Sequence, residues 1–274
     1  MQTVKINGTT IAYDVVGTAP GIRQKDTALL SHSLFFNSAM FRPLVARLTQ
    51  AGIRCVIYDH RGQGESAAAV ESSPQELSLD NLTQDAADLI KCLEIEQCHF
   101  VGNSLGGMVG LRIAARRPEL VKSVVALGSS AEQEHQFAEF APLVVRLGTR
   151  GPAALIDNLL YIMFGDTSLE AVNSELIIEW REYLSKLPPE IAEVALPVIT
   201  RTSILEELEQ HKGNVPVLAI AGAQDHAYPA PISAQTIAAA TGGQWRIVPN
   251  VGHSVALERP DKVCDLLLEH FAAL

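Results

Sequence analysis

Cys98-His99-Phe100-Val101-Gly102-Asn103-Ser104-Leu105-Gly106-Gly107 is the stretch on which the fold of this sequence turns. An apolar, strand-like run from Cys98 to Val101 passes directly into Gly102-Asn103-Ser104-Leu105-Gly106, a match to G-x-S-x-G. A helical pattern follows from about Ser104 to Arg117, where Pro118 stops it. With glycine and serine each near ~7% of average composition, the three fixed positions recur by chance in about one chain in ten of this length. The motif alone is therefore weak evidence, and its placement decides. Strand, motif and helix in immediate succession form the context in which a sharp turn lifts a serine oxygen above the sheet edge. Glycines on both sides suit such a turn, because neighbouring Cβ atoms would crowd it.

Outward from this stretch, apolar runs alternate with helical periodicity. Residues 3 to 16 read as two short strands turning at Asn7-Gly8, an antiparallel start. Strands follow at Ala28 to Leu30, Cys55 to Tyr58, Cys98 to Val101 and Val121 to Leu127, with helices near Met40 to Thr49 and Leu79 to Leu93. Runs this short and this continuously apolar suit strands buried on both faces of a parallel sheet. After the sixth strand the alternation breaks, and residues 131–214 carry only helical periodicity. Within them, Thr167-Ser168-Leu169-Glu170 has capping-box spacing ahead of a stripe of Leu169, Val172, Leu176, Trp180 and Leu184. Pro152 opens another helix, with Leu155, Leu159 and Met163 on one side. Taken residue by residue, such stripes are more often plain core than ligand contacts. The β/α rhythm resumes with Val215 to Ala221, a helix near Ile232 to Ala240, Trp245 to Val248, and a last helix from Pro260 to Ala273. The expected organisation is an α/β core made of residues 1–130 and 215–274, with a helical insertion at 131–214.

The chain's 274 residues, 47% hydrophobic and 19% charged, can bury a sizeable core. A formal charge of −10 argues against a nucleic-acid partner, which needs concentrated Lys and Arg. Cys55, Cys92, Cys98 and Cys264 lack CxxC spacing and read as reduced and structural. No basic segment followed by an apolar one opens the sequence, and no apolar run approaches the ~18 residues that span a bilayer. A cytoplasmic protein without membrane association is expected. No HxxxH or CxxC pair points to a metal, and neither GxGxxG after the first strand nor GxxxxGK points to a nucleotide cofactor. Nothing in the sequence sets an oligomeric state.

A serine hydroxyl needs a base within hydrogen-bond reach and a carboxylate to orient that base. In chain order after Ser104, Asp225 stands just past the seventh strand and His253 just past the eighth, both at the carboxyl ends where open α/β sheets gather their sites. His226 is the weaker candidate for the base, since adjacent side chains usually point apart. Asp59-His60-Arg61-Gly62-Gln63-Gly64-Glu65-Ser66 reads as a structural turn, and His99, His135, His211 and His270 have no matching partner. Acyl transfer also needs donors for an oxyanion. One is the backbone N–H of Leu105, which follows the nucleophile. The other is assigned to the N–H of Leu34, in the loop after the third strand.

Taken together, His32-Ser33-Leu34, the 59–66 turn, Gly102 to Gly107, Gly222-Ala223-Gln224-Asp225, and Gly252-His253 with Leu257-Glu258-Arg259-Pro260 resemble the α/β-hydrolase superfamily over nearly the whole chain. The resemblance implies an α/β fold with a mostly parallel eight-stranded sheet, helices on both faces and a helical cap at 131–214. It also implies cofactor-free hydrolysis through an acyl-enzyme. Where the family often has His-Gly, this chain has His32-Ser33. The run Ser31-His32-Ser33-Leu34 looks like the Ser-x-Ser-Leu of 3-oxoadipate enol-lactonases, and esterases and acyl-homoserine lactonases of the same branch are also similar. A small, largely apolar ester or lactone is the expected substrate, with Phe35, Phe36, Met163 and Trp180 as lining candidates. Arg201 is the residue that could hold a single carboxylate. Two other readings stay open: a perhydrolase, in which peroxide replaces water, and a ligand receptor with slow turnover. A haloalkane dehalogenase is disfavoured, because it would require a carboxylate at position 104.

Overall fold

The computed structural model describes residues 1–17, 26–69 and 76–274. Strands β1 (Gln2–Ile6) and β2 (Thr9–Val16) form a hairpin whose two turn residues, Asn7 and Gly8, both take positive φ, 45° and 74°. Asn and Gly adopt that conformation at least cost, which is why the pair turns here. Strands β3 (Asp26–Ser31), β4 (Ile53–Tyr58), β5 (Cys98–Asn103), β6 (Val121–Leu127), β7 (Val217–Gly222) and β8 (Gln244–Val248) complete an eight-stranded sheet in the order β1-β2-β4-β3-β5-β6-β7-β8. Pairing is antiparallel from β1 to β4 and parallel from there on.

Helices α1 (Arg42–Gln50), α2 (Leu79–Cys92) and α3 (Leu105–Arg116) belong to the first half of the sheet. Between β6 and β7 the described chain forms only helices: α4 (Phe137–Arg150), α5 (Ile156–Met163), α6 (Asp166–Glu170), α7 (Glu175–Ser185), α8 (Ile191–Ile199) and α9 (Leu205–Gln210), with one short 3-10 turn, Pro152–Leu155. Helices α10 (Ile232–Thr241), α11 (Val255–Glu258) and α12 (Pro260–Ala272) return to the sheet. Helix α1 packs on α12 and α2 on α3, in the two layers that cover the sheet. That double cover is why β5 and β7 are buried at every position, whereas β8, at the edge, is exposed at four of its five. Each fully buried Leu, Ile, Val or Phe of these strands contributes about 1.5–3 kcal/mol of transfer free energy.

Register sets the stage for chemistry. Ser31 pairs with Gly102, Asn103 with Leu127, Leu127 with Ile220, and Gly222 with Val248, so β3, β5, β6, β7 and β8 end together at one edge. The loops carrying Leu34, Ser104, Asp225 and His253 all leave from that edge.

One local expectation fails. Thr167 does not cap a long helix, because its N–H donates to Gln224 Oε1 at 3.0 Å and α6 ends at Glu170. The helix with the buried face starts at Glu175, where the Ser174 side chain accepts from the Ile177 N–H. In that frame Ile177, Trp180 and Leu184 point inward, and Val172 is left exposed. Ser174 wins because it caps the register that buries the larger apolar face.

Candidate active site

Ser104 sits at the junction of β5 and α3 with φ 52° and ψ −112°, a conformation that costs a non-glycine residue free energy. Three bonds hold it there: its N–H donates to Leu127 O at 2.8 Å, and Ser129 Oγ and the Met108 N–H donate to its carbonyl at 2.9 and 3.0 Å. The glycines at 102 and 106 are steric requirements. A Cβ at Gly102 would collide with the Gly106 backbone, and one at Gly106 with the Ser31 carbonyl. The Leu105 N–H opens α3, at the positive end of the helix dipole.

Asp225 and His253 meet as a pair. His253 Nδ1 lies 3.0 Å from Asp225 Oδ2 and 3.1 Å from Oδ1, with both side chains buried. Asp225 Oδ1 also accepts the N–H groups of Ala227 and Tyr228, at 2.8 and 2.9 Å, and these fix the carboxylate. With Nδ1–H donating to the carboxylate, Nε2 carries the lone pair. His226 turns the other way, its Nδ1 against Tyr161 O at 2.6 Å and its Nε2 against Asp166 at 3.1 Å. Ser104 and His253 line one cavity, and no hydrogen bond joins Ser104 Oγ to the ring.

The loop after β3 is fastened to the 59–66 turn. His32 Nδ1–H donates to Ser33 O at 2.7 Å, and His32 Nε2 accepts the His60 N–H at 2.9 Å. Ser33 C=O belongs to the same peptide as the Leu34 N–H, so holding one end aims the other. The next peptide is held by Gln63 Oε1, which accepts the Phe35 N–H at 2.9 Å and supports Phe35 at φ 71°. Among the described residues, neither the Leu34 nor the Leu105 N–H donates to another group. Ser33, the departure from His-Gly, has its own partner: Asn103 Nδ2 donates to Ser33 Oγ at 2.9 Å.

The cavity is small, about 60 Å³. Its wall is almost entirely apolar, with Leu34 and Phe35 on one side, Leu147 from α4, Leu159 and Met163 from α5, and Val198 from α8. Two lining candidates need correction. Phe36 and Trp180 do not reach the cavity; their rings pack on each other at 4.7 Å, and Phe36 also meets Phe164 at 6.1 Å. The reason is directional: Phe36 follows the left-handed Phe35, which sends consecutive side chains to different sides. Arg201 is not free to hold a carboxylate either, since its Nη1 donates to Glu134 Oε2 at 2.7 Å. Met163, named as a lining candidate, lies in the cavity wall, and so do Leu155 and Leu159 of the same stripe, which read as plain core.

A sequence model of the alpha/beta hydrolase fold matches residues 28–260. The chain belongs to the α/β-hydrolase family. Among its relatives, a protein of Stutzerimonas stutzeri named "Putative carbamate hydrolase RutD" is 28% identical over 251 residues, covering 90% of this chain and 91% of that one. The enol-lactonase of Burkholderia xenovorans superposes with a TM-score of 0.88 at 26% identity, over 99% of this chain and all of the other. A thermophilic esterase from Thermogutta terrifontis shares the fold, with a TM-score of 0.86 at 20% identity over 100% and 99% of the two chains.

Within this α/β hydrolase, two residues tie the site together in ways their motifs do not announce. Asn103 Nδ2 donates to His253 O at 2.9 Å as well as to Ser33, and Asn103 Oδ1 accepts the Ala256 N–H at 3.2 Å. One buried amide therefore joins the loops after β3, β5 and β8. Glu258 does the same for the insertion, accepting from Gly165 N–H, Ser168 Oγ and Gly252 N–H at 3.0, 2.6 and 2.9 Å. Burial pushes its carboxyl above the usual range. The advance signal was membership of a quoted motif, Asn103 in the elbow and Glu258 in Leu257-Glu258-Arg259-Pro260, without any sign of the partners.

His60 is no hidden base. Burial, reinforced by His32 beside it, holds it well below the usual histidine range, and burial lowers His32 too. His99, on β5, is pushed down to about 4, chiefly by burial. Above pH 6.5 these rings are neutral folded or unfolded and cost nothing. Below it the unfolded chain takes up protons that the folded chain refuses, so stability falls as pH drops from 6.5 toward 4. Each unit of depression removes about 1.4 kcal/mol once the pH has fallen that far. Thermal melts should show Tm declining by several degrees between pH 7 and 5, and a flat profile would contradict the burial of these rings. Among the described residues no cluster of His, Cys, Asp and Glu is placed to hold a metal ion, and no helix is long and apolar enough to cross a membrane.

Proposed function

We propose that this α/β hydrolase cleaves carboxylic esters or lactones of small molecules through an acyl-enzyme, with Ser104 as nucleophile, His253 as base and Asp225 orienting the base. The observation that carries the proposal is a convergence. A strained serine, an imidazole whose Nδ1 is occupied by a buried carboxylate, and Leu34 line one apolar cavity, and the N–H groups of Leu34 and of Leu105, next to the serine, have no partner among the described residues.

In the first step Ser104 Oγ attacks the carbonyl carbon while His253 Nε2 takes its proton. The Leu34 and Leu105 N–H groups receive the oxyanion. His253 returns the proton to the leaving alcohol oxygen, which in a lactone stays attached as the far end of the acyl chain. Water, deprotonated by His253, then releases the acid and restores the serine. Residues 131–214 serve as a cap that supplies most of the apolar wall and excludes bulk water.

The RutD name favours one further leaving group to test. A carbamate presents the same kind of carbonyl to the same nucleophile, but an almost entirely apolar wall suits a hydrocarbon chain better than a small polar acid. The test is a panel of p-nitrophenyl esters graded by acyl length, γ- and δ-lactones and a p-nitrophenyl carbamate, each with and without peroxide. The expected result is multiple turnover, kcat/KM rising with chain length until the cavity is full, and no requirement for peroxide. Binding without turnover would favour a receptor, and peroxide dependence a perhydrolase.

A further inference from the structure

Glu134 stands near the start of the inserted segment and Arg201 near its end. Their carboxylate and guanidinium meet at 2.7 Å with side chains only 2% and 1% exposed. Glu134 Oε2 also accepts from Tyr228 Oη at 3.0 Å, and Oε1 accepts the Gln136 N–H at 3.0 Å. Arg201 donates to the carbonyls of Glu132 and Val198 at 2.8 and 2.9 Å, and its guanidinium lies 5.4 Å from the Tyr228 ring centre.

The two charges are not equivalent toward the cavity. Glu134 and Tyr228 are part of its wall, and Arg201 is not. Arg201 nevertheless keeps a donor in reserve, as its Nη2 is buried without a partner. A second carboxylate brought to this wall would meet the Glu134 oxygens first, in a poorly solvated setting where like charges repel strongly. A hydrocarbon chain meets no such cost.

We propose that Glu134 selects the charge of the acyl group: its carboxylate cancels Arg201 and confines the cavity to neutral acyl chains, and without it the same wall accepts an acyl chain ending in a carboxylate. This deepens the ester or lactone hydrolase reading and rests on it for substrate class. Glu134→Gln keeps the size of the side chain and an oxygen for Tyr228, and leaves Arg201 as the unbalanced charge.

The substrates are p-nitrophenyl pentanoate and mono-p-nitrophenyl glutarate, equal in chain length and differing by a terminal carboxylate. The native chain should prefer the pentanoate by about tenfold or more in kcat/KM. In Glu134→Gln that preference should shrink by about tenfold or more through a gain on the glutarate. Arg201→Met should widen it, which a merely structural role would not do. Equal rates on the two substrates in the native chain, or an unchanged ratio in a folded Glu134→Gln, would overturn the proposal.

A binding arm separates this failure from failure of the catalytic reading. Methyl pentanoate and monomethyl glutarate are titrated calorimetrically into Ser104→Ala, with and without Glu134→Gln. A switch toward the glutarate supports the charge selection even if no ester is turned over. No switch, or no binding of either ester at millimolar concentration, overturns it.

Discussion

Replacing Ser104 with alanine should abolish labelling by a fluorophosphonate and lower kcat on p-nitrophenyl esters by roughly 10^4-fold or more. The native chain should carry a single adduct, located by peptide mass mapping on the segment that contains Ser104. The size of the effect follows from the division of labour. On the proposed mechanism there is no acyl-enzyme without the hydroxyl, and only water remains to attack a carbonyl still polarised by the Leu34 and Leu105 N–H groups. Folding should survive, because the Ser104 contacts that fix the elbow are made by its backbone, to Leu127 O and from Ser129 Oγ and the Met108 N–H. Alanine at φ 52° carries a conformational cost similar to that of serine. His253→Ala should lose a comparable factor, and since both groups act in one step the double variant should be little worse than either single one. Near-native turnover in Ser104→Ala would mean that another group is the nucleophile.

How much of this could be read in advance depends on whether the information is local. The hairpin at Asn7-Gly8, the buried strands and the elbow were legible because periodicity and glycine placement act over a few residues. The gathering of Ser104, Asp225 and His253 at one edge was legible too, since strands in a parallel sheet all end their β-to-α turns on the same side. Side-chain direction was not. Phe35 and Phe36 look equivalent as letters, yet the left-handed backbone at Phe35 sends one to the cavity and the other to Trp180. Pairings across long sequence separations were equally hidden. Arg201 looked available because Glu134 is 67 residues away, and Gln63 looked like a turn residue because the Phe35 N–H it holds is 28 away. The start of α7 was misplaced because two cap-like sequences compete, and the register that buries Ile177, Trp180 and Leu184 decides between them.

Asp225→Asn should be nearly as damaging as loss of the nucleophile, and the backbone says why. Two N–H groups, from Ala227 and Tyr228, donate to Oδ1, so the single oxygen of an asparagine must take that position. The NH2 group then replaces Oδ2, which lies 3.0 Å from His253 Nδ1. A donor in that place demands a lone pair on Nδ1, and the ring proton moves to Nε2. Nε2 can then no longer take the proton of Ser104, and kcat should fall by about 10^4-fold, equivalent to about 5.5 kcal/mol in the barrier. Because asparagine fills the same volume and keeps both backbone bonds, KM should change far less than kcat. Nitrogen-15 chemical shifts of the His253 ring report the tautomer directly. Within this mechanism the shift to Nε2–H and the loss of kcat must occur together. A variant that keeps the native tautomer would overturn the placement of the asparagine NH2 against Nδ1, and one that changes tautomer yet retains more than about a tenth of kcat would remove His253 from the role of base.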